Sequence, residues 1–144
     1  MKRFRFRLEQ VLRVRRIQEE LARAALISAN NAAREAAGTV NARVADYEAA
    51  ARPGGAQSYE EFNRTQTRLD NAARAITVAR AAYRQALDVV EDRKRDWSGA
   101  RQRVAALERL ESRRRDEHAI ELRREEDRLV DDLVVARHVR GEHV

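Results

Sequence analysis

The stretch Arg52-Pro53-Gly54-Gly55-Ala56-Gln57-Ser58-Tyr59-Glu60-Glu61 divides an otherwise helix-favouring chain of 144 residues in two. Proline inside a helix removes a backbone donor and collides with the preceding turn, and the glycines after it supply turn conformations. Ser58 then opens a capping box: its hydroxyl meets the Glu61 amide while the Glu61 carboxylate reaches back to the Ser58 amide. Two long helices joined by a short connection pack as antiparallel neighbours. The expected fold is therefore all-α: a single long antiparallel two-helix coiled-coil hairpin over residues 1–144. Helix one is expected over about 4–51, the turn over 52–58 and helix two over about 59–140.

Downstream of the turn the pattern is regular. Leu69, Ile76, Tyr83, Val90, Trp97 and Val104 recur every seven residues, and Ala72, Ala79, Ala86, Ala100 and Leu107 follow five of them by three. Arg93 is the one charged intruder. A seam of this kind, held over about five heptads, marks a coiled coil. Past Leu110 it thins, and apolar character returns at Leu129, Val130, Leu133, Val134, Val135 and Ala136, with Gly141 a plausible stop. Upstream, the apolar positions are read as Val14, Ile17, Leu21, Ala25, Ala29, Ala32, Ala36, Val40, Val44, Tyr47 and Ala51. Their mean step of about 3.7 residues predicts a nearly straight helix with little left-handed supercoil. Gly38, inside it, predicts a close crossing or slight bend.

The arms are unequal. Helix one is expected to run ~70 Å and helix two ~120 Å at 1.5 Å per residue. Folded back from the turn, helix one covers helix two only to about residue 106, so an overhanging C-terminal helix is expected. Its apolar cluster at 129–136 then needs a protein to cover it.

Composition agrees with a narrow seam rather than a globular core. Leu, Ile, Val and Phe number 31, whereas charged residues make up 38%. A coiled coil needs only about two apolar residues in seven, so this chain suffices for one. Residues 1–16 hold Lys2, Arg3, Arg5, Arg7, Arg13, Arg15 and Arg16 against Glu9 alone, which accounts for the whole net charge of +6. A nucleic-acid-coating protein spreads its basic residues along a face. One basic tip instead suits an acidic protein surface. No stretch reaches the ~18 apolar residues of a membrane span, so no direct membrane insertion is expected. The basic N-terminus lacks the apolar core of a secretory signal, and a cytoplasmic location is expected.

Catalytic chemistry has no foothold in the pattern. There is no cysteine. His118, His138 and His143 lack the spaced partners of a metal set, and no glycine-rich phosphate loop occurs. The many carboxylates read as solvated faces, and Trp97 falls on the seven-residue ladder as a packing residue. We expect no enzyme activity, no catalytic residues, no metal and no cofactor.

Four blocks in order along the chain carry a family resemblance. They are F4-R-F6-R-L8-E-x-V11-L12-x-x-R15, Y59-E-E-F62, W97-S-x-A100-R101-x-R103-x-x-L107-E108-x-L110-E-x-R113 and E125-E126-D127-x-x-V130-D131-D132. Together they resemble the FliJ family of flagellar type III export proteins. The resemblance implies a hairpin similar to the rotor stalk of the F1 ATPase. It also implies three partners: the export ATPase hexamer, the cytoplasmic domain of the export-gate membrane protein, and substrate chaperones whose cycling the protein assists. The implied place is cytoplasmic, peripheral to the inner face of the cell membrane at the flagellar base, in the service of motility.

In the family the termini enter the ATPase ring. That places candidates for ring binding at Arg3, Arg5, Arg7, Arg13, Arg15 and Arg16, with Leu129, Leu133 and Val134 beside them. The family's gate-binding patch lies near the turn, where Phe62, Tyr59, Tyr47 and Leu69 match in type and place. Gln66 stands where the family pattern implies an apolar residue. Other readings of the same residues are an injectisome-type secretion stalk, a nucleic-acid-binding coiled coil, and a scaffold that self-associates through its apolar C-terminal end.

Overall fold

The computed structural model describes residues 2–55 and 57–141. Two helices, α1 (Glu9–Ala50) and α2 (Tyr59–Gly141), make up nearly all of them, and no strand occurs among the described residues. The chain is thus all-helical. Two compact units are distinguished: residues 18–100, and residues 1–17 together with 101–144, of which 2–17 and 101–141 are described.

Helix α1 starts at Glu9, not at Phe4 as the sequence suggested. The reason is legible in the residues. Phe4-Arg5-Phe6-Arg7-Leu8 alternates apolar and basic, which is the two-residue period of an extended segment. Phe4, Phe6 and Leu8 are half-buried while Arg3, Arg5 and Arg7 are exposed. The backbone enters the helix by a bond from the Glu9 amide to the Phe6 carbonyl at 3.2 Å, and Leu12 N donates to Leu8 O at 2.9 Å.

In the 18–100 unit, Ala29, Ala33 and Val90 form a buried cluster against which Leu26 and Ala86 pack. Ala79 and Ala100 are the other buried residues there. The expected α2 ladder is realised: Leu69, Ala72, Ile76, Tyr83, Ala86 and Trp97 are half-buried around these positions, and Arg93 is exposed. The face of α1 differs from expectation. Of the expected positions Ala25, Ala29, Ala36, Val40 and Val44 are covered, but the continuous covered line runs through Glu19, Ala22, Leu26, Ala29, Ala33, Ala36 and Val40, spaced alternately by three and four, with Ala25, Asn30 and Ala37 half-buried along its border. This is a heptad pattern, not the ~3.7-residue step inferred from hydrophobicity. Leu21, placed on the seam by the sequence reading, is 66% exposed, and Ala32 is exposed as well. A contact face must stay continuous with the small residues Ala29 and Ala33. Followed back at heptad spacing, it passes through Ala22 and Glu19 and leaves the larger Leu21 outside. Gly38 is exposed and the helix runs through it unbroken. A Cβ there would meet nothing within 4 Å, so Gly38 marks no close crossing.

In the other unit Leu12 is buried, with Arg15 beside it half-buried. Val14 and Ile17, also assigned to the seam from sequence, are 51% and 54% exposed. On α2, Val104, Leu107, Leu110, Glu111, His118 and Leu122 are half-buried, well past the limit near residue 106 inferred from arm lengths. Two contacts explain the extra cover. Arg16 Nη2 pairs with Glu108 Oε1 at 3.2 Å, and the ring of Phe4 lies 5.6 Å from that of His118. From Arg123 to Gly141 every residue is exposed.

Candidate functional site

Around the turn, the capping box predicted from sequence is present. Ser58 N donates to Glu61 Oε2 at 3.3 Å, and Glu61 N donates to Ser58 Oγ at 3.2 Å. This pair satisfies two amides that a helix start otherwise leaves open. It also sets the rotational phase of the first turns of α2. Tyr59 and Phe62 emerge 79% and 51% exposed, and Leu69 two turns on is half-buried. All three line a concavity of ≈ 550 Å³, whose other walls include Ala50, Pro53 and Gln66. Tyr47, the fourth residue named for this end, stands on α1 away from that lining. The departure at Gln66 therefore falls within the patch itself. Aromatic rings held outward by a capped helix are surface that a partner protein can bury.

The basic end is built differently. The extended segment 4–8 lays Phe4 against α2. Arg115 Cζ sits 5.2 Å from the centre of the Phe4 ring on top of the His118 contact, a cation–π arrangement. Arg115 Nη2 also pairs with Glu111 Oε1 at 3.3 Å, and Arg114 Nη1 with Glu117 Oε2 at 3.1 Å. Phe4, Arg5, Phe6, Arg7, Leu110, Arg114 and His118 line a concavity of ≈ 740 Å³. Of the arginines named from sequence, Arg3, Arg5, Arg7, Arg13 and Arg16 are exposed and Arg15 is half-buried. The structure thus adds Arg114, Phe4, Phe6 and His118 to the basic end. Two signals pointed to them: the period-two alternation of 4–8, and the position of His118 seven residues after Glu111 and fourteen after Val104 on the ladder.

Leu129, Leu133 and Val134 lie on the exposed stretch of α2, at 63%, 69% and 61% exposure. His118 to Leu133 is about 22 Å along the helix at 1.5 Å per residue. Leu133 and Val134 instead share a shallow surface with Val130, Ala136, Arg137 and Arg140. Among the described residues there is no group of three His, Cys, Asp or Glu positioned to hold a metal. No helix formed by them is long and apolar enough to cross a membrane. His143 lies outside the described residues.

Compared with known proteins, residues 4–143 match a family model described as the flagellar FliJ protein. No curated relative and no solved structure gives a significant match.

Proposed function

The chain belongs to the FliJ family, and so to flagellar type III protein export; on that premise we propose that it is a stalk-like coupling protein. In this reading the two helices form an antiparallel coiled-coil hairpin with an overhanging C-terminal helix. Within residues 18–100, Ala29 and Ala33 cluster with Ala86 and Val90, whereas Glu19 reaches Trp97. Numbers falling on α1 while rising on α2 support the antiparallel sense. Within the other unit, Arg16 meets Glu108 and Phe4 meets His118 in the same sense.

The proposed mechanism is mechanical. The basic N-terminal segment and the exposed helix beyond Arg123 engage the export ATPase hexamer. Tyr59 and Phe62, with Leu69 behind them, engage the cytoplasmic domain of the export-gate membrane protein. ATP-driven changes in the ring are passed along the seam to the gate, and the same exposed surfaces assist the cycling of substrate chaperones. The protein acts on the cytoplasmic face of the membrane at the flagellar base. The observation that carries this reading is the difference in chemistry between the two surfaces: an aromatic, capped turn in one unit, and an arginine-rich segment with an uncovered apolar helix in the other.

Removal of residues 123–144 tests the assignment of ends. Because residues 123–141 are all exposed, helicity over the remaining chain should persist. Stimulation of the purified export ATPase should be lost. Full stimulation by the truncated chain overturns the ring assignment.

A further inference from the structure

We infer that the N-terminal segment 3–8 is a docking edge for an extended acidic peptide in which carboxylate and apolar side chains alternate. The peptide lies along the segment as an added strand, its carboxylates on Arg5 and Arg7 and its apolar side chains beside Phe4, Phe6 and Leu8. This deepens the stalk reading, on which it rests for there being a protein partner at this end, by stating the chemistry of the partner's segment.

The segment is anchored by side chains and leaves its backbone open. The Phe4 ring centre lies 5.6 Å from that of His118 and 5.2 Å from Arg115 Cζ, and Phe6 and Leu8 are half-buried with it. The only backbone bonds it makes among the described residues lead into α1, from Glu9 N to Phe6 O and from Leu12 N to Leu8 O. The amides of residues 3–8 find no acceptor, and the carbonyls of Arg3, Phe4 and Arg5 no donor, among the described residues. An extended backbone in that state is a template for strand addition. Beside it lies the concavity of ≈ 740 Å³, its wall apolar at Phe6, Leu8 and Leu110 and basic at Arg5, Arg7 and Arg114.

The charges choose the occupant. Lys2, Arg3, Arg5 and Arg7 stand against Glu9 alone. The facing stretch of α2 does not neutralise them: from Leu110 to His118 it sets Arg113, Arg114 and Arg115 against Glu111, Asp116 and Glu117. Two of those carboxylates are already taken, Glu117 by Arg114 and Glu111 by Arg115. Arg3, Arg5 and Arg7 are exposed and make no ion pair among the described residues. A second copy of the segment would set arginine against arginine, so the edge rejects itself and admits an acidic strand. A nucleic acid or a lipid surface would meet the arginines and leave the apolar wall unused. Side chains of a strand alternate between two faces, so the peptide that satisfies both walls has the segment's own period with the sign of its charge reversed. A helix does not fit, because its side chains recur every 3.6 residues against a spacing of two.

The test is fluorescence anisotropy of a labelled octapeptide of alternating aspartate and valine, titrated with the full chain. Half-saturation is expected at roughly 10–100 µM, in keeping with an interface well below ~1,200 Å². The same composition in two blocks, aspartates and then valines, should bind at least about tenfold more weakly. Arg5→Glu combined with Arg7→Glu should weaken binding at least about tenfold and turn the preference to an alternating lysine–valine peptide. Both positions precede α1, so circular dichroism of that variant should match the wild type. N-methylation of one alternate set of peptide amides should abolish binding while methylation of the other set leaves it intact, because only one set faces the segment. Absence of binding at millimolar concentration overturns the inference. So does equal binding of the block peptide, indifference to Arg5→Glu with Arg7→Glu, or indifference to both methylations. A preference for an oligothymidylate or for phosphatidylglycerol vesicles of equal charge overturns it as well. None of these readouts uses the ATPase: lost stimulation with peptide binding intact sinks the ring assignment alone, and the converse result sinks this inference alone.

Discussion

The indole Nε1 of Trp97 donates a hydrogen bond to Oε1 of Glu19 across 3.0 Å, joining residues 78 positions apart in sequence. Both occupy covered positions, Trp97 on the ladder that contains Val90 and Glu19 on the one that contains Leu26 and Ala33. A carboxylate in a seam of alanines loses hydration and needs a donor, and the indole supplies one. The adjacent positions Ala22 and Ala100 offer only small side chains, which interlock weakly. This contact is therefore the feature of the 18–100 unit that best distinguishes one helix register from another.

Removing the indole donor should be measurable. Trp97→Phe is expected to lower stability by about 1–3 kcal/mol, combining lost ring surface with a stranded half-buried carboxylate. Glu19→Gln, which still accepts, should cost about 1 kcal/mol or less. In a double-mutant cycle by urea denaturation the two should couple by at least ~0.5 kcal/mol. Simple additivity removes the register argument.

Gly38 offers a change in the other direction. It lies in the interior of α1, exposed, with open space where a Cβ would stand. Gly38→Ala should stabilise the protein by about 0.5–1 kcal/mol, because alanine gives up less backbone freedom on entering a helix. Thermal denaturation should show a midpoint higher by a few degrees. A lower midpoint would mean that the space is occupied in solution.

The capping box carries its own cost. Ser58→Ala removes the acceptor of the Glu61 amide and should destabilise the start of α2 by about 1 kcal/mol. Amide exchange should rise over residues 59–65, and residues 79–100 should be little changed, since helix ends fray before packed segments open. A uniform rise in exchange would show instead that the turn governs the whole unit.

Phe62 separates binding from folding. With half of its surface exposed at 51%, Phe62→Ala should cost well under 2 kcal/mol in stability. Binding to the cytoplasmic domain of the export gate, measured by calorimetry, should weaken at least tenfold if the ring is an anchor of that interface. Unfolding of the variant would place Phe62 in the packing of the turn, and intact binding would move the gate surface elsewhere.

The two helices were legible to different degrees, for a physical reason. In α2 the seven-residue ladder from Leu69 to Val104 falls on covered positions while Val78, Leu87 and Val89 off the ladder are exposed, so the periodicity read the face correctly. In the first turns of α1 they do not. Val14, Ile17 and Leu21 look outward, and Leu12, Arg15, Glu19 and Ala22 look inward. A polar residue is admitted to a covered face when its partner waits on the other helix, and no local pattern in α1 announces Trp97. The extended segment 4–8 is a further case. Its alternation was present in the residues, but an extended strap needs a surface to lie on, and His118 and Arg115 supply that surface from more than a hundred positions away.

The sequence by itself determined the all-helical class, the turn at Pro53–Gly55, the cap at Ser58 and Glu61, the face of α2 and the concentration of charge in the first sixteen residues. These are local matters: backbone sterics, capping geometry and the spacing of one helix's own side chains. The tertiary structure alone decided which face of α1 is covered, where that helix begins and how the basic segment is held. Each of those depends on a partner distant in the chain, where a hydrogen bond, a ring contact or a small facing residue outweighs the hydrophobicity of any single position.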